Sequence, residues 1–562
     1  MATGIIGATA RRGGVVALVA GALAVSAMGE TLTYVLTPDP TSRWLKVELT
    51  WQTEGRSSSM LCVASRWGTL HGVAGVLKDM RIDGATSVRR DGACWRVAHG
   101  RRAALCCRYT VDAGQSAFDW AHANHPLTTE GFFHGAGAAF LMVPATGGGM
   151  PAEYEVLLRW RLPKGWEAVS SWGAGRHVGA LLGADDLRHS VYLAGDLVTD
   201  TRAVRAGASV TVAMVDAFGF KVGALGKLAA GIIGEQCAFM GEEDFPPFVV
   251  TVVPMSGDRE GEVVRLRGLG LYRSLALSMS LGAKLTDAVE HLFAHELFHQ
   301  WNGRLLRGAE PLEATWWLTE GFTDYYAMRS LYESGRWTAG TYAKWLNRHL
   351  GEYNANPARN ATNEQVVKRA RSAPETYGQL PYQRGLMLGL RWHRQARERG
   401  VEEGVDRLFR ELMRRARDGG FEVTNAVVRA VGVEVYGGWF EDEFDGYVVR
   451  GETVAVPADA LGPDLMGEVR TVYAYALGFD RGRSLREQRI HGLVPGSAAA
   501  AAGLREGDVL AGWDVHGDAD RRIRLQVRRG GKAQEIRYYP RGVGRELLQF
   551  RPARKAGGGR AR

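Results

Sequence analysis

Two absences narrow the reading of this chain. Beyond the first 30 residues no run of 18 or more apolar residues occurs, so no permanent membrane anchor is expected, since a spanning helix needs about 20. The 562 residues hold only five cysteines, none in Cys-x-x-Cys spacing, which excludes a cysteine-built zinc site of the usual pattern. Cys62, Cys94, Cys106 and Cys107 crowd into the N-terminal part while Cys237 stands apart. An oxidising compartment would permit disulfides among the first four. One-signed charge is also scarce in the body of the chain. Of the formal +9, residues 551–562 supply five and Arg11 and Arg12 two, so no nucleic-acid partner is expected.

What is present begins with an N-terminal export pattern. Arg11 and Arg12 precede the small-residue, apolar stretch from Gly13 to Ala27, which is followed by Glu30. Residues 1–29 therefore read as a signal peptide, with Val25-Ser26-Ala27 or Ala27-Met28-Gly29 as its cleavage site. The arginine pair matches twin-arginine export. The mature protein is expected in the periplasm or outside the cell, without a stable transmembrane anchor.

At 46% apolar and 23% charged residues, the chain has ample material for packed cores, and its length predicts about three domains. Residues 30–215 alternate short apolar and β-branched runs, such as Leu45-Lys46-Val47-Glu48-Leu49-Thr50-Trp51 and Tyr154-Glu155-Val156-Leu157-Leu158-Arg159-Trp160. That pattern predicts an antiparallel β domain. Residues 216–460 change texture, with a helix over Val222 to Met240, a strand from Phe248 to Val253 and long helical patterns after it. This segment predicts a mixed α+β domain with a helical second half.

The chemistry concentrates in His295-Glu296-Leu297-Phe298-His299. On a helix His295 and His299 lie one turn apart on one face, so both imidazoles reach one ion at about 2.0–2.1 Å. Glu296 is held beside that ion without binding it, the place of a general base acting on metal-activated water. A catalytic Zn2+ needs a third protein ligand and an open position. Glu320, in Trp317-Leu318-Thr319-Glu320-Gly321-Phe322, is the candidate, and Asp324, one turn further, suits the carboxylate that accepts a ligand imidazole's other N–H. His291 shares the face of the two histidines and is read as a packed or half-exposed residue.

The chain resembles the gluzincin zinc metallopeptidases, and within them the glycyl aminopeptidase family, which joins a β domain, a thermolysin-like domain and a PDZ domain. The resemblance rests on Tyr34 to Leu49, His295-Glu296-Leu297-Phe298-His299-Gln300-Trp301-Asn302, Trp317 to Thr323 and Leu380-Pro381-Tyr382-Gln383-Arg384-Gly385. It rests also on Pro495-Gly496-Ser497, Ala502-Gly503-Leu504 and Gly507-Asp508-Val509-Leu510. It implies a thermolysin-like zinc peptidase domain at 216–460 and a PDZ domain at 465–545. Leu477-Gly478-Phe479 would be the carboxylate loop for a peptide or C-terminal ligand. Residues 546–562 complete the division as a basic, disordered tail.

The resemblance implies hydrolysis of peptide substrates in an aminopeptidase-like manner. Tyr382 would donate to the oxyanion, with Tyr377 as its neighbouring competitor. One departure stands out: Gly268-Leu269-Gly270-Leu271-Tyr272-Arg273-Ser274 occupies the substrate-binding segment, with Tyr272 and Arg273 where the family carries Glu and His. Gly270, Tyr272 and Arg273 are thus the substrate-binding candidates, and a tyrosine cannot neutralise a substrate's ammonium group. Endopeptidase or dipeptidase action stays open, as does a peptide-binding or quality-control module with weak or lost hydrolysis. Arg273 would suit an acidic or carboxylate-bearing substrate.

Overall fold

A computed structural model describes residues 30–553 except 54, 69, 115–123, 146–152, 205–207, 256–264, 310 and 420–421. The expected signal segment and residues 554–562 of the expected tail lie outside the described residues. Two compact units emerge, the first drawn from residues up to 115, 124–164 and 174–189, the second from 165–173 and 190 onward.

The first unit is β-rich. Strands β1 (Thr31–Asp39), β2 (Trp44–Gln52), β3 (Leu77–Asp83), β4 (Ala104–Asp112), β5 (Tyr154–Trp160) and β6 (His177–Leu182) form a six-stranded sheet in the order β6-β5-β1-β2-β4-β3. The alternation in β2 works as period-two physics requires: Leu45, Val47, Leu49 and Trp51 are buried, while Lys46 is exposed and Glu48 half-buried. The sheet is not wholly antiparallel as expected, because β1 runs parallel to β5. In a second sheet Cys62 and Cys94 face each other across adjacent strands and are joined by a disulfide, while Cys106, Cys107 and Cys237 form no disulfide among the described residues.

The second unit is built on a five-stranded sheet. Its strands β7 (Leu197–Ala203), β8 (Ser209–Val215), β9 (Phe248–Pro254), β10 (Leu266–Leu271) and β11 (Ser274–Met279) run in the order β7-β8-β9-β11-β10. The expected boundary at 215 is corrected by this sheet, since β8 pairs in parallel with β9 and takes β7 with it. Between β8 and β9 the helix α1 (Val222–Met240) covers the sheet with Leu225, Leu228, Ile232 and Ile233, over the range the sequence predicts. The helical second half follows, with α2 (Asp287–Phe298), α3 (Thr323–Glu333), α4 (Ala339–Ala355) and α5 (Leu380–Glu398). No helix among the described residues is long and apolar enough to cross a membrane.

The C-terminal part has a small core of its own, with Leu477, Ile490, Leu504, Leu510, Leu525, Val527 and Tyr538. It carries a short helix Ala498–Ala501, capped by Ser497, and the sheet β13 (Val509–Asp514), β14 (Ile523–Arg529) and β15 (Lys532–Tyr538). A ribbon of β12 (Leu465–Tyr475) and β16 (Arg541–Pro552) flanks it. The tail expected from residue 546 is therefore corrected over 546–552, which continue β16. Order there comes from packing: Phe550 is fully buried, and its backbone exchanges two hydrogen bonds with the Asn347 side chain on α4.

Candidate metal centre

Three donor atoms converge in the second unit. Helix α2 buries Val289, Phe293, Ala294, Leu297 and Phe298 on its core face. That leaves His295, and His299 just past the helix end, to point the other way. Glu320 sits on a widened helical turn, Trp317–Phe322, that runs into α3. Such widened turns recur at functional sites because they re-aim a side chain without ending the helix. One Glu320 oxygen lies 3.4 Å from Nε2 of His295 and 3.4 Å from Nε2 of His299.

The outward nitrogens of both imidazoles are occupied. Nδ1 of His295 donates to Oδ1 of Asp324 at 2.7 Å, and Nδ1 of His299 donates to the Asn302 carbonyl at 2.9 Å. With Nδ1 so engaged, the neutral form of each ring presents the lone pair of Nε2 on the side of Glu320, as a metal ligand must. Three ligands at about 2.0–2.1 Å around a tetrahedral ion stand about 3.3–3.4 Å apart. The 3.4 Å separations from Glu320 to both imidazoles match that edge, and all three donor atoms lie within 4.8 Å of one another. The residues present fit a zinc ion.

Electrostatics agree with the geometry. Burial would raise the Glu320 carboxyl and lower His295 and His299, yet the opposite shifts prevail. Glu320 is held far below the carboxylate range by the two histidines, while His295 is pushed up by Asp324, Glu320 and Glu296, and His299 by Glu320 and Glu296. The pocket thus carries a negative field that favours positive charge among its ligands. Asp324 is likewise depressed against its burial by His295 and His291.

The fold agrees with that of known peptidases. An aminopeptidase N family protein from Idiomarina loihiensis superposes with a TM-score of 0.66 at 14% identity, covering 93% of this chain and 98% of that one. The M1 zinc metallopeptidase of Deinococcus radiodurans superposes with a TM-score of 0.50 at 15% identity, over 76% of this chain and 96% of that one. No curated protein matches at the level of sequence. Residues 288–376, which carry the whole donor triangle, match the sequence model of the M61 glycyl aminopeptidase family. The chain is a zinc metallopeptidase.

The peptidase places the remaining candidates around this triangle. Oε2 of Glu296 accepts the Gly270 N–H at 2.7 Å, so the edge strand β10 holds the carboxylate. Gly268 and Gly270 share one face of that strand. A Cβ on Gly268 would stand 2.5 Å from Cγ of Glu296, and one on Gly270 2.8 Å from the Glu296 carbonyl oxygen. Only glycine lets the strand approach α2 this closely. Tyr272 and Arg273 form the end of the β10–β11 hairpin.

Tyr382 lies in the first turn of α5, its ring stacked over His295 with centroids 6.1 Å apart. Burial holds its phenol well above the ordinary range, and Glu320, Asp324 and Glu296 raise it further, so it is a protonated donor at neutral pH. The competitor Tyr377 instead accepts a hydrogen bond from Arg369 at 2.9 Å. His291 is packed as expected, stacked on Trp345 with centroids 4.5 Å apart, and its Nε2 is 3.3 Å from Asp324.

Helix α5 reaches the site through glycine contacts. A Cβ on Gly385 would meet the Trp317 carbonyl oxygen at 1.8 Å, and one on Gly321 would meet Cα of Gly385 at 2.5 Å. Gly385→Ala is expected to destabilise the fold by about 1–3 kcal/mol through overpacking and to move Tyr382 and Glu320 apart. A fall in both thermal midpoint and kcat checks it.

Sequence reasoning did not assign a role to Asn302. Besides holding His299 through its carbonyl, its side-chain amide donates to the Leu318 carbonyl at 2.8 Å and to Thr323 Oγ1 at 3.0 Å, tying the histidine helix to the Glu320 turn. The Asn in His-Gln-Trp-Asn was its only signal. Nor was Gly270 recognised as the donor to Glu296, although two glycines two apart in a strand pattern signal close backbone approach. For Asp324→Asn, a 10–100-fold loss of zinc affinity is expected, read by competition with a fluorescent chelator.

Proposed function

We propose that this metallopeptidase hydrolyses peptide bonds in an aminopeptidase-like manner, with His295, His299 and Glu320 as zinc ligands, Glu296 as general base and Tyr382 as oxyanion donor. The observation that carries this reading is the triangle with both outward imidazole nitrogens engaged, flanked by a carboxylate held on an edge strand and a buried phenol. Zinc, when bound there, supplies Lewis-acid chemistry that lowers the pKa of water from 15.7 to about 7. Glu296 takes a proton from the attacking water as the new C–O bond forms at the scissile carbonyl. Its Gly270 hydrogen bond fixes the direction of that transfer. Tyr382 donates its hydroxyl proton in a hydrogen bond to the developing oxyanion, adding no full charge to the site. Glu296 then passes the proton to the leaving amine as the C–N bond breaks.

Tyr382→Phe is expected to lower kcat about 10²- to 10³-fold with KM little changed, the cost of one oxyanion donor. Exopeptidase action is tested by comparing free with N-acetylated peptides, with mass spectrometry reading the cut; equal cleavage of both would defeat it. Endopeptidase or dipeptidase action is the second reading, favoured by the Tyr272-Arg273 hairpin end, which offers no carboxylate to an ammonium group.

Residues 465–545, extended by the remainder of β16, are proposed as a PDZ-type module that takes an extended peptide or C-terminus. Its separate core supports this, as does Gly478 at φ +84, where a Cβ would stand 2.8 Å from Ser497 Oγ. Export to the periplasm or cell exterior is proposed from residues 1–29, and the Cys62–Cys94 disulfide is in keeping with it. A peptide-binding module without hydrolysis would keep its ligand but show no turnover on any peptide.

A further inference from the structure

The β10–β11 hairpin ends on an arrangement that the hydrolytic machinery does not use. Arg273 holds φ +46, a left-handed backbone that non-glycine residues rarely adopt and that concentrates at functional sites. Its guanidinium lies 5.1 Å from the centroid of the Tyr272 ring, and that of Arg304 lies 4.8 Å from the same centroid. Two like charges are thus gathered over one aromatic ring. Both arginines are exposed, and Arg273 forms no ion pair among the described residues.

The hairpin end is tied to the rim of the metal site from two sides. Gly270 donates to Glu296, and Gln300 Nε2 donates to the Leu271 carbonyl at 3.0 Å. Arg304 belongs to the turn after His299, its N–H donating to the His299 carbonyl at 3.1 Å. Gly303 turns the chain there with φ +145. From below, Ser274 donates to the Tyr272 carbonyl at 2.9 Å and shares a buried 2.7 Å hydroxyl pair with Ser171. The backbone segments that carry the two cations are therefore fixed at strands and turns bonded to Glu296 and His299. Guanidinium groups ordered on an aromatic ring are ready-made for the planar, paired hydrogen bonding of a carboxylate.

We propose that Tyr272, Arg273 and Arg304 form a carboxylate-recognising subsite, so that the preferred substrates carry a free carboxylate near the scissile bond. It belongs either to an Asp or Glu side chain or to the peptide's own C-terminus. The proposal rests on the hydrolytic reading for its word "substrate", but not for the binding it predicts.

The test uses zinc-loaded full-length Glu296→Gln protein and isothermal titration with four tripeptide probes: Ala-Asp-Ala-amide, Ala-Asn-Ala-amide, Ala-Ala-Ala-amide and free Ala-Ala-Ala. Acidic residues are also moved through all three positions. The side-chain source predicts about tenfold tighter binding of the Asp probe than its Asn isostere, and the C-terminal source the same margin for free over amidated Ala-Ala-Ala, the scale of a charge-assisted pair. Adding Arg273→Gln should bring the ratio within about twofold, Arg273→Glu should invert it, and high salt should shrink it. Arg304→Gln gives a second arm should an Arg273 variant fold poorly by circular dichroism. Ratios within twofold in the parent, or unchanged in Arg273→Gln, overturn the proposal. With the native Glu296, absence of any cleavage alongside a retained binding ratio overturns the hydrolytic reading instead.

Discussion

Glu296→Gln is expected to lower kcat by at least about 10³-fold, about 4 kcal/mol of transition-state stabilisation, while zinc content stays at one per chain. The carboxylate is outside the donor triangle, so metal binding does not require it. Glutamine is close in shape and retains an oxygen that can accept the Gly270 N–H in place of Oε2. What it lacks is basicity: an amide cannot take the proton from water or return it to the leaving amine. Steady-state kinetics on a peptide library, with metal analysis and thermal midpoint measured on the same preparation, separates loss of the base from loss of the fold. Activity within tenfold of the parent would remove Glu296 from its role.

His299→Ala is expected to have the other dominant effect, cutting zinc affinity by more than the 10–100-fold assigned to an orienting partner and activity below detection. Two protein ligands remain, one fewer than catalytic zinc sites use. A metal bound only to the folded state at 1,000 times its dissociation constant stabilises by about 4.1 kcal/mol. A chelator should therefore lower the thermal midpoint of the native protein and leave that of His299→Ala unmoved. Zinc at one per chain in the variant would displace His299 from the ligand set.

The two effects differ in how visible their causes are along the chain. His295, Glu296 and His299 are legible because one helical turn brings them together, whatever the rest of the chain does. Val222–Met240 and the alternating strands Trp44–Gln52 and Tyr154–Trp160 are legible for the same reason, their period being local. Pairing is not local. Strands β7 and β8 alternate like any strand of the first unit, and only the parallel partner Phe248–Pro254 assigns them to the second. Likewise 546–552 read as a basic tail until Asn347 and the buried Phe550 give that strand a partner.

The sequence by itself determined which groups stand close along the chain: two imidazoles and the Glu296 carboxylate within one helical turn of each other, and a glutamate and an aspartate one turn apart, within reach of any fold that closes them. Only the tertiary structure decided what holds each group in place. The Asn302 carbonyl behind His299, the Gly270 N–H on Glu296, the glycine contact that carries Tyr382 to Glu320 and the arginines over Tyr272 all join residues whose proximity no local period encodes. Backbone atoms and missing Cβ atoms do much of that work, and neither leaves a side-chain signature in a sequence.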